Sequence, residues 1–169
     1  TASNNTAVGR SALVANTTGT GNVAVGVNVL DANTTADNNT AVGTGAASSN
    51  TTGAEINAFG TNALFANTTG LANCAFGNSS LDANTTGGLN IAMGIQSLSS
   101  NTTASDNTAI GTFSMRDNTT GAGNVAVGRS ALLFNTTASN NTAIGTYALY
   151  VNTTGHSNTA VGGIALDAN

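Results

Sequence analysis

A 17-residue repeat runs through the whole chain without insertion or deletion, and it constrains the fold more than any other feature. Its unit is Asn-Thr-Ala-Val-Gly-x-x-Ala-Leu-x-x-Asn-Thr-Thr-Gly-x-x, and ten units would need one residue more than the 169 present. Self-similarity at a fixed period is the signature of a repeat architecture. We therefore predict a single repeat array over residues 1–169. Because both ends fall inside a unit, we expect the array to continue in the natural molecule.

The unit is too short to hold two helices and their turns. Gly, Asn and Thr at fixed places are also poor helix formers. Short segments such as Thr-Ala-Val-Gly are typical of strands, and the Asn-Thr-Thr-Gly segments between them are typical of turns. The sequence therefore predicts an all-β fold, a parallel β-solenoid (β-roll) of ten 17-residue coils. Consecutive coils would stack at about 4.8 Å, and equivalent residues would form columns along the axis.

Three columns of small or apolar residues predict how each coil is filled. The Ala column comprises Ala7, Ala24, Ala41, Ala58, Ala75, Ala92, Ala109, Ala126, Ala143 and Ala160. The apolar column that follows it comprises Val8, Val25, Val42, Phe59, Phe76, Met93, Ile110, Val127, Ile144 and Val161. The Leu column comprises Leu13, Leu30, Ala47, Leu64, Leu81, Leu98, Met115, Leu132, Leu149 and Leu166.

We expect the apolar column and the Leu column to form the core. Neighbouring residues of a strand point to opposite faces, so the Ala face would be free to pack against a second sheet or a neighbouring chain. Within the third and fourth coils, Ala47 replaces Leu and Phe59 replaces Val. Because protein interiors contain few voids, we predict that Phe59 fills the space that Ala47 vacates.

A further column consists of asparagines that begin each Asn-Thr-Thr segment. Stacked Asn amides hydrogen-bond from layer to layer in cross-β structures, so these residues predict an internal ladder. The same segments are N-glycosylation sequons, and a sugar coat on Asn is the alternative interpretation. The ladder positions are Asn16, Asn33, Asn50, Asn67, Asn84, Asn101, Asn118, Asn135 and Asn152, with Asn169 opening the next turn. Other sequons begin at Asn4, Asn38, Asn78 and Asn140.

The composition argues against several functions. With three Arg and no Lys, the chain has no basic surface for a phosphate backbone, so we expect no nucleic-acid binding. No apolar run approaches the roughly 18 residues of a membrane span, so we expect no membrane insertion. His156 is the single histidine, and we expect it to lie on the surface. Cys74 is the single cysteine, and we expect a small buried hydrophobe. We predict no enzyme activity, no cofactor and no metal site.

The unit Asn-Thr-Ala-Val-Gly-x-x-Ala-Leu resembles the head repeats of trimeric autotransporter adhesins, the YadA-like family. The 17-residue form with Asn-Thr-Thr-Gly also resembles repeats of bacterial surface proteins and phage tail-fibre-like proteins. The resemblance covers all ten units, although each coil here is a few residues longer than the units usual in the adhesin heads. It implies a left-handed coil and a homotrimer.

These observations together predict a non-catalytic structural and adhesive module of an extracellular fibre, on a cell surface or in a virion. The alternative is a subunit of a self-assembling extracellular filament, with or without a glycan coat. Self-association as a homotrimer or filament is expected, and a host surface or a glycan is a further candidate partner. An exposed apolar patch would mark a contact. We predict such a patch at Leu133, Phe134, Tyr147, Tyr150 and Val151, in coils eight and nine.

Overall fold

A computed structural model of the chain describes residues 1–168 and confirms the predicted β-solenoid. Ten strands of three residues, one in each coil, form one parallel sheet in which every strand pairs with its neighbours in sequence. Their bounds are β1 Thr6–Val8, β2 Val23–Val25, β3 Thr40–Val42, β4 Asn57–Phe59, β5 Cys74–Phe76, β6 Ile91–Met93, β7 Thr108–Ile110, β8 Val125–Val127, β9 Thr142–Ile144 and β10 Thr159–Val161. Asn169, which was expected to open the next turn of the Asn ladder, lies outside the described residues.

The strand register equals the sequence repeat. Ala7 pairs with Ala24, and the same 17-residue step recurs at each strand pair through β10. The hydrogen bonds between coils continue outside the strands, because the Leu13 N–H donates to the Val29 carbonyl at 3.1 Å and the Thr17 N–H donates to the Thr34 carbonyl at 2.9 Å. Most backbone groups of a coil therefore hydrogen-bond to the coils above and below it. Stability in such an array comes from contacts between neighbouring repeats.

The predicted assignment of the core is correct for the Leu column and wrong for the two strand columns. The Leu column is buried from coil one to coil nine, and the Ala column is buried from coil two to coil ten. The apolar column points away from the core, so Phe59 does not fill the space next to Ala47. Its ring instead stacks on Phe76 on the outer side of the sheet, with ring centroids 4.6 Å apart.

The inner side of the strand is narrow because several columns share it. The Ala methyl groups, the Leu side chains and two columns of buried Asn side chains all lie inside the coil. The space between the strand and these columns accommodates a methyl group. The branched and aromatic side chains of the apolar column are larger and fit only on the other face of the strand. Alternation along a strand requires that the two columns point apart, but it does not decide which of them points inward.

The turn after each strand uses backbone conformations that L-residues rarely adopt. The Leu column has positive φ in every coil, for example +53° at Leu81 and +52° at Leu132. A second position with positive φ precedes the next strand and includes Leu89, at +60°. The left-handed region costs a non-glycine residue about 1–2 kcal/mol. Inside the coil the burial of the Leu side chains offsets that cost, whereas Leu89 is exposed.

We predict that Leu89→Gly stabilises the chain by about 1 kcal/mol. Glycine adopts φ of +60° without steric cost, and an exposed leucine loses little when it is removed. Leu71 is the matched control, since it is equally exposed but lacks a positive φ. Leu71→Gly should therefore destabilise the chain by about 0.5–1 kcal/mol through the added flexibility of the unfolded state. Chemical denaturation of both variants measures the two changes, and equal effects would refute the assignment of strain to Leu89.

Candidate interaction surfaces

The outer face of the sheet carries two parallel columns of side chains. One is the apolar column, and the other comes two residues earlier in each strand. We call their twenty residues the outer face. The earlier column comprises Thr6, Val23, Thr40, Asn57, Cys74, Ile91, Thr108, Val125, Thr142 and Thr159. None of the twenty residues is charged. A large apolar surface without charge is unusual on a soluble domain, so we treat the outer face as a candidate contact site.

Much of this face is accessible. Met93 is 42% exposed, Ile110 is 38% exposed and Ile144 is 41% exposed. The Phe59 and Phe76 rings lie on the same face, in coils four and five. All seven acids of the chain lie elsewhere on the coil. They are Asp31, Asp37, Glu55, Asp82, Asp106, Asp117 and Asp167.

Cys74 lies on the outer face, which corrects the expectation that it is a small buried hydrophobe. Its side chain points outward from β5 and is half-buried between Asn57 and Ile91 of the neighbouring strands. Burial raises the pKa of the thiol above its usual value. The thiol is therefore a weak nucleophile that still reaches the surface, and it can report whether this face is covered.

The predicted contact patch is partly assembled. Phe134 and Tyr150 pack edge to face with ring centroids 5.1 Å apart, and Tyr147 packs on Tyr150 at the same distance. Val151 is exposed as expected. Leu133, by contrast, is buried, so the prediction that it belongs to an exposed patch is wrong. Arg116 and Tyr150 occupy its position in the two adjacent coils, and these large side chains shield it.

Two arginines, which the sequence analysis did not include, complete the aromatic cluster. The Arg116 guanidinium lies 5.9 Å from the Phe113 ring and 6.0 Å from the Phe134 ring, and Arg129 lies 5.6 Å from the Tyr147 ring. Arg116 also donates two hydrogen bonds to Asp117, at 2.7 and 3.0 Å, and these bonds raise the pKa of the Arg116 guanidinium. The aromatic rings therefore pack mainly on one another and on cations of their own chain. Arg116 and Phe134, like Arg129 and Tyr147, are 18 residues apart in the sequence, which is one coil and one residue, and this spacing is the signal that could have found the two arginines.

The expected internal Asn ladder is present, and its side chains are buried from Asn33 to Asn152. Each amide nitrogen donates to the amide oxygen of the coil before it, as Asn84 does to Asn67 at 2.8 Å and Asn101 does to Asn84 at 2.9 Å. The same nitrogen donates to the backbone carbonyl three residues later. A sugar on these nitrogens has no room in the folded coil. The sequons at Asn4, Asn38, Asn78 and Asn140, in contrast, begin with exposed asparagines.

A second Asn ladder was missed in the sequence analysis. Each oxygen in it accepts the backbone N–H of its equivalent one coil later, as Asn22 does from Asn39 at 3.0 Å. Each nitrogen in the regular coils donates to a turn carbonyl 14 residues on, as Asn22 does to Ala36 at 2.9 Å. The signal was an Asn directly before nine of the ten strands. These are Asn5, Asn22, Asn39, Asn73, Asn90, Asn107, Asn124, Asn141 and Asn158.

Ile56 interrupts the second ladder in coil four, where it is fully buried. By the pattern of the other coils, an Asn at this position would accept from the Asn73 N–H and donate to the Gly70 carbonyl, and isoleucine makes neither bond. We predict that Ile56→Asn changes the free energy of unfolding by less than about 1 kcal/mol, because the completed ladder offsets the loss of apolar burial.

Leu64, in the same coil, is the matched control. It is fully buried in the Leu column, where the ladder offers an amide no partner, so Leu64→Asn should destabilise the chain by about 3 kcal/mol. Equilibrium unfolding in urea separates the two outcomes. Equal losses in the two variants would show that the second ladder does not determine stability at position 56.

Residues 1–168 bring together no group of three His, Cys, Asp or Glu side chains that could hold a metal ion, and no cavity is found among them. His156 is exposed, and its Nδ1 accepts a hydrogen bond from the Ser139 N–H at 2.9 Å. Burial raises the pKa of the Asp82 carboxyl, which is half-buried. No helix in this part of the chain is long and apolar enough to span a bilayer.

Comparison of the chain with protein-family models, with curated proteins and with solved structures gives no match. The resemblance to trimeric autotransporter heads and to tail-fibre-like repeats therefore stays a prediction, as do the handedness and the homotrimer that it implies.

Proposed function

We propose that this chain is a non-catalytic structural and adhesive module of an extracellular fibre, in which a stiff rod of stacked coils presents surface for attachment. One observation carries the proposal: most positions inside the coil hardly vary, whereas several positions on the surface vary freely. The Ala column and the first Asn ladder contain one residue type throughout. At the position of Arg116, in contrast, other coils carry Val14, Ser48 or Asp82.

This distribution fits a scaffold. The invariant residues make the contacts that stack one coil on the next, so they hold the rod together, and the number of coils sets its length. Ten coils at about 4.8 Å give a rod of about 43 Å between the first coil and the last. The variable positions are free to adapt to a partner, and the aromatic cluster around Tyr150 is the most distinctive of them. A host surface or a glycan is the partner class that we propose for that cluster.

The second candidate function is a self-assembling extracellular filament. The chain is nearly free of charge, with 6% charged residues, and a sugar coat would supply the missing polar surface. The exposed sequon residues Asn4, Asn38, Asn78 and Asn140 are the positions where such a coat fits the fold. Added mass on the native chain at Asn38 or Asn140 would favour this candidate.

The proposed location is tested on the native source with antibodies against the folded chain. On intact, non-permeabilised cells or virions, we expect gold-labelled antibody to decorate fibres seen by electron microscopy. Label that appears only after permeabilisation, or that avoids fibres, would contradict an extracellular structural role.

A further inference from the structure

The outer face differs in kind from the rest of the surface. Along about 43 Å of sheet it presents Thr, Val, Ile, Phe and Met side chains, with Asn57 and Cys74 as the other residue types. Four exposed apolar side chains in its middle, Phe76, Ile91, Met93 and Ile110, lie in the consecutive coils five to seven. Burying them would remove apolar area from water at the centre of the strip, where the residues that dominate binding usually lie.

We infer that the outer face is covered by the same face of another copy of this chain. This inference rests on the proposed function, since it names the partner through which the rods associate. In this pairing the second copy covers both columns of the outer face, and Ile91, Met93 and Ile110 form the central contact.

The periodicity of the outer face fits a second copy. The side chains of each column repeat once per coil, so the face has ridges and grooves at about 4.8 Å. A second copy presents the same spacing, and its side chains can therefore enter the grooves of the first along the full length of the sheet. Close packing of this kind is what gives an interface its complementarity.

The absence of charge on the outer face also favours a second copy. The twenty outer-face residues include no charged residue, so the face has no ionic group with which to select a charged partner. Self-pairing also places none of the seven acids against one another at the centre of the contact. Like charges in an interface would cost several kcal/mol.

The area of the outer face also fits a second copy. A strip about 43 Å long and about 15 Å wide covers about 650 Å², if side chains on both columns are included. Stable specific interfaces bury about 600–1,000 Å² on each partner. The outer face and its margins are therefore large enough for a stable pair of chains, whereas a short peptide would leave most of the strip exposed.

The test uses the whole chain and two double variants. Met93→Glu with Ile110→Glu places two charges at the centre of the outer face, and Leu71→Glu with Leu89→Glu places two charges on exposed leucines elsewhere. In sedimentation experiments over a concentration series, we expect the unmodified chain and the control to associate with equal affinity. The outer-face variant should associate at least 100-fold more weakly. Circular dichroism and thermal melting show whether each rod is folded.

A second measurement needs no substitution. The Cys74 thiol lies on the outer face, so its reaction with a maleimide should slow at least tenfold between dilute and concentrated chain. A labelling rate independent of concentration would overturn the inference. So would a folded rod that stays monomeric throughout the series, or one that associates equally in both double variants. Each of these results leaves the extracellular role untouched, because that role is tested by the antibody label on native fibres.

Discussion

Gly94→Ala is expected to lower the free energy of unfolding by about 4 kcal/mol. Gly94 has φ of +138°, a conformation that only glycine adopts readily. A Cβ built there would lie 2.5 Å from the carbonyl oxygen of Gly111, in the coil above, and 2.6 Å from its carbonyl carbon. Both atoms belong to the backbone, so neither can move without disturbing the stacking. The dihedral strain and the clash each contribute about 1–3 kcal/mol.

Two glycines of the last coil separate these contributions. Gly162 has φ of +125°, but the nearest atom to its built Cβ is 3.9 Å away, so Gly162→Ala carries the strain without the clash. Gly163→Ala carries neither, since its φ is ordinary and its nearest atom is 3.8 Å away. Unfolding in urea should rank the losses as Gly94, then Gly162, then Gly163. A harmless Gly94→Ala would mean that the coils are not stacked this closely.

Asn84→Leu is expected to destabilise the chain by about 4 kcal/mol. The Asn84 amide donates to Asn67 and to Gly87 and accepts from Asn101, all at 2.8–2.9 Å in a fully buried position. Leucine makes none of these bonds, and it leaves the Asn67 oxygen and one Asn101 N–H unpaired. Each unpaired buried group costs about 1–3 kcal/mol, so the two together account for about 4 kcal/mol.

Asn78→Leu is the control for this prediction. Asn78 is exposed and lies outside both Asn ladders in the same coil, so the same chemical change there should alter stability by less than about 0.5 kcal/mol. Differential scanning calorimetry of the two variants provides the comparison. If Asn84→Leu melted at the same temperature as Asn78→Leu, the ladder would not be a stabilising element.

The repeat was sufficient to predict the strand positions, the parallel register, the buried Leu column and the course of the first Asn ladder. Each of these follows from a rule that acts within one coil or between equivalent residues of two coils. The repeat could not show which face of the strand points inward. Alternation places the Ala column and the apolar column on opposite faces, but it is satisfied equally well with either column inside. The interior is decided by the positive-φ turn that carries Leu81 and its equivalents, and by the two Asn columns that take up the remaining space.

The surface was harder to predict than the interior for a related reason. The exposure of a side chain depends on the sizes of its neighbours one coil above and one coil below. Leu133 lies between Arg116 and Tyr150 and is buried, whereas Phe65 is exposed between Ser48 and Asp82 at the same position of the coil. A pattern taken along the sequence does not contain this information, but aligning the ten units in columns does.

The central claim is that the Ala column lies inside the coil and the apolar column outside. It is tested by single-cysteine labelling in a Cys74→Ser background that also carries Met93→Glu and Ile110→Glu to keep the face uncovered. Ala143 and Ile144 are adjacent, with exposed fractions of 0% and 41%. We predict that Ile144→Cys reacts with a maleimide at nearly the rate of an unfolded peptide, and that Ala143→Cys reacts only as fast as the rod unfolds. Rapid labelling at position 143 together with protection at position 144 would contradict the account.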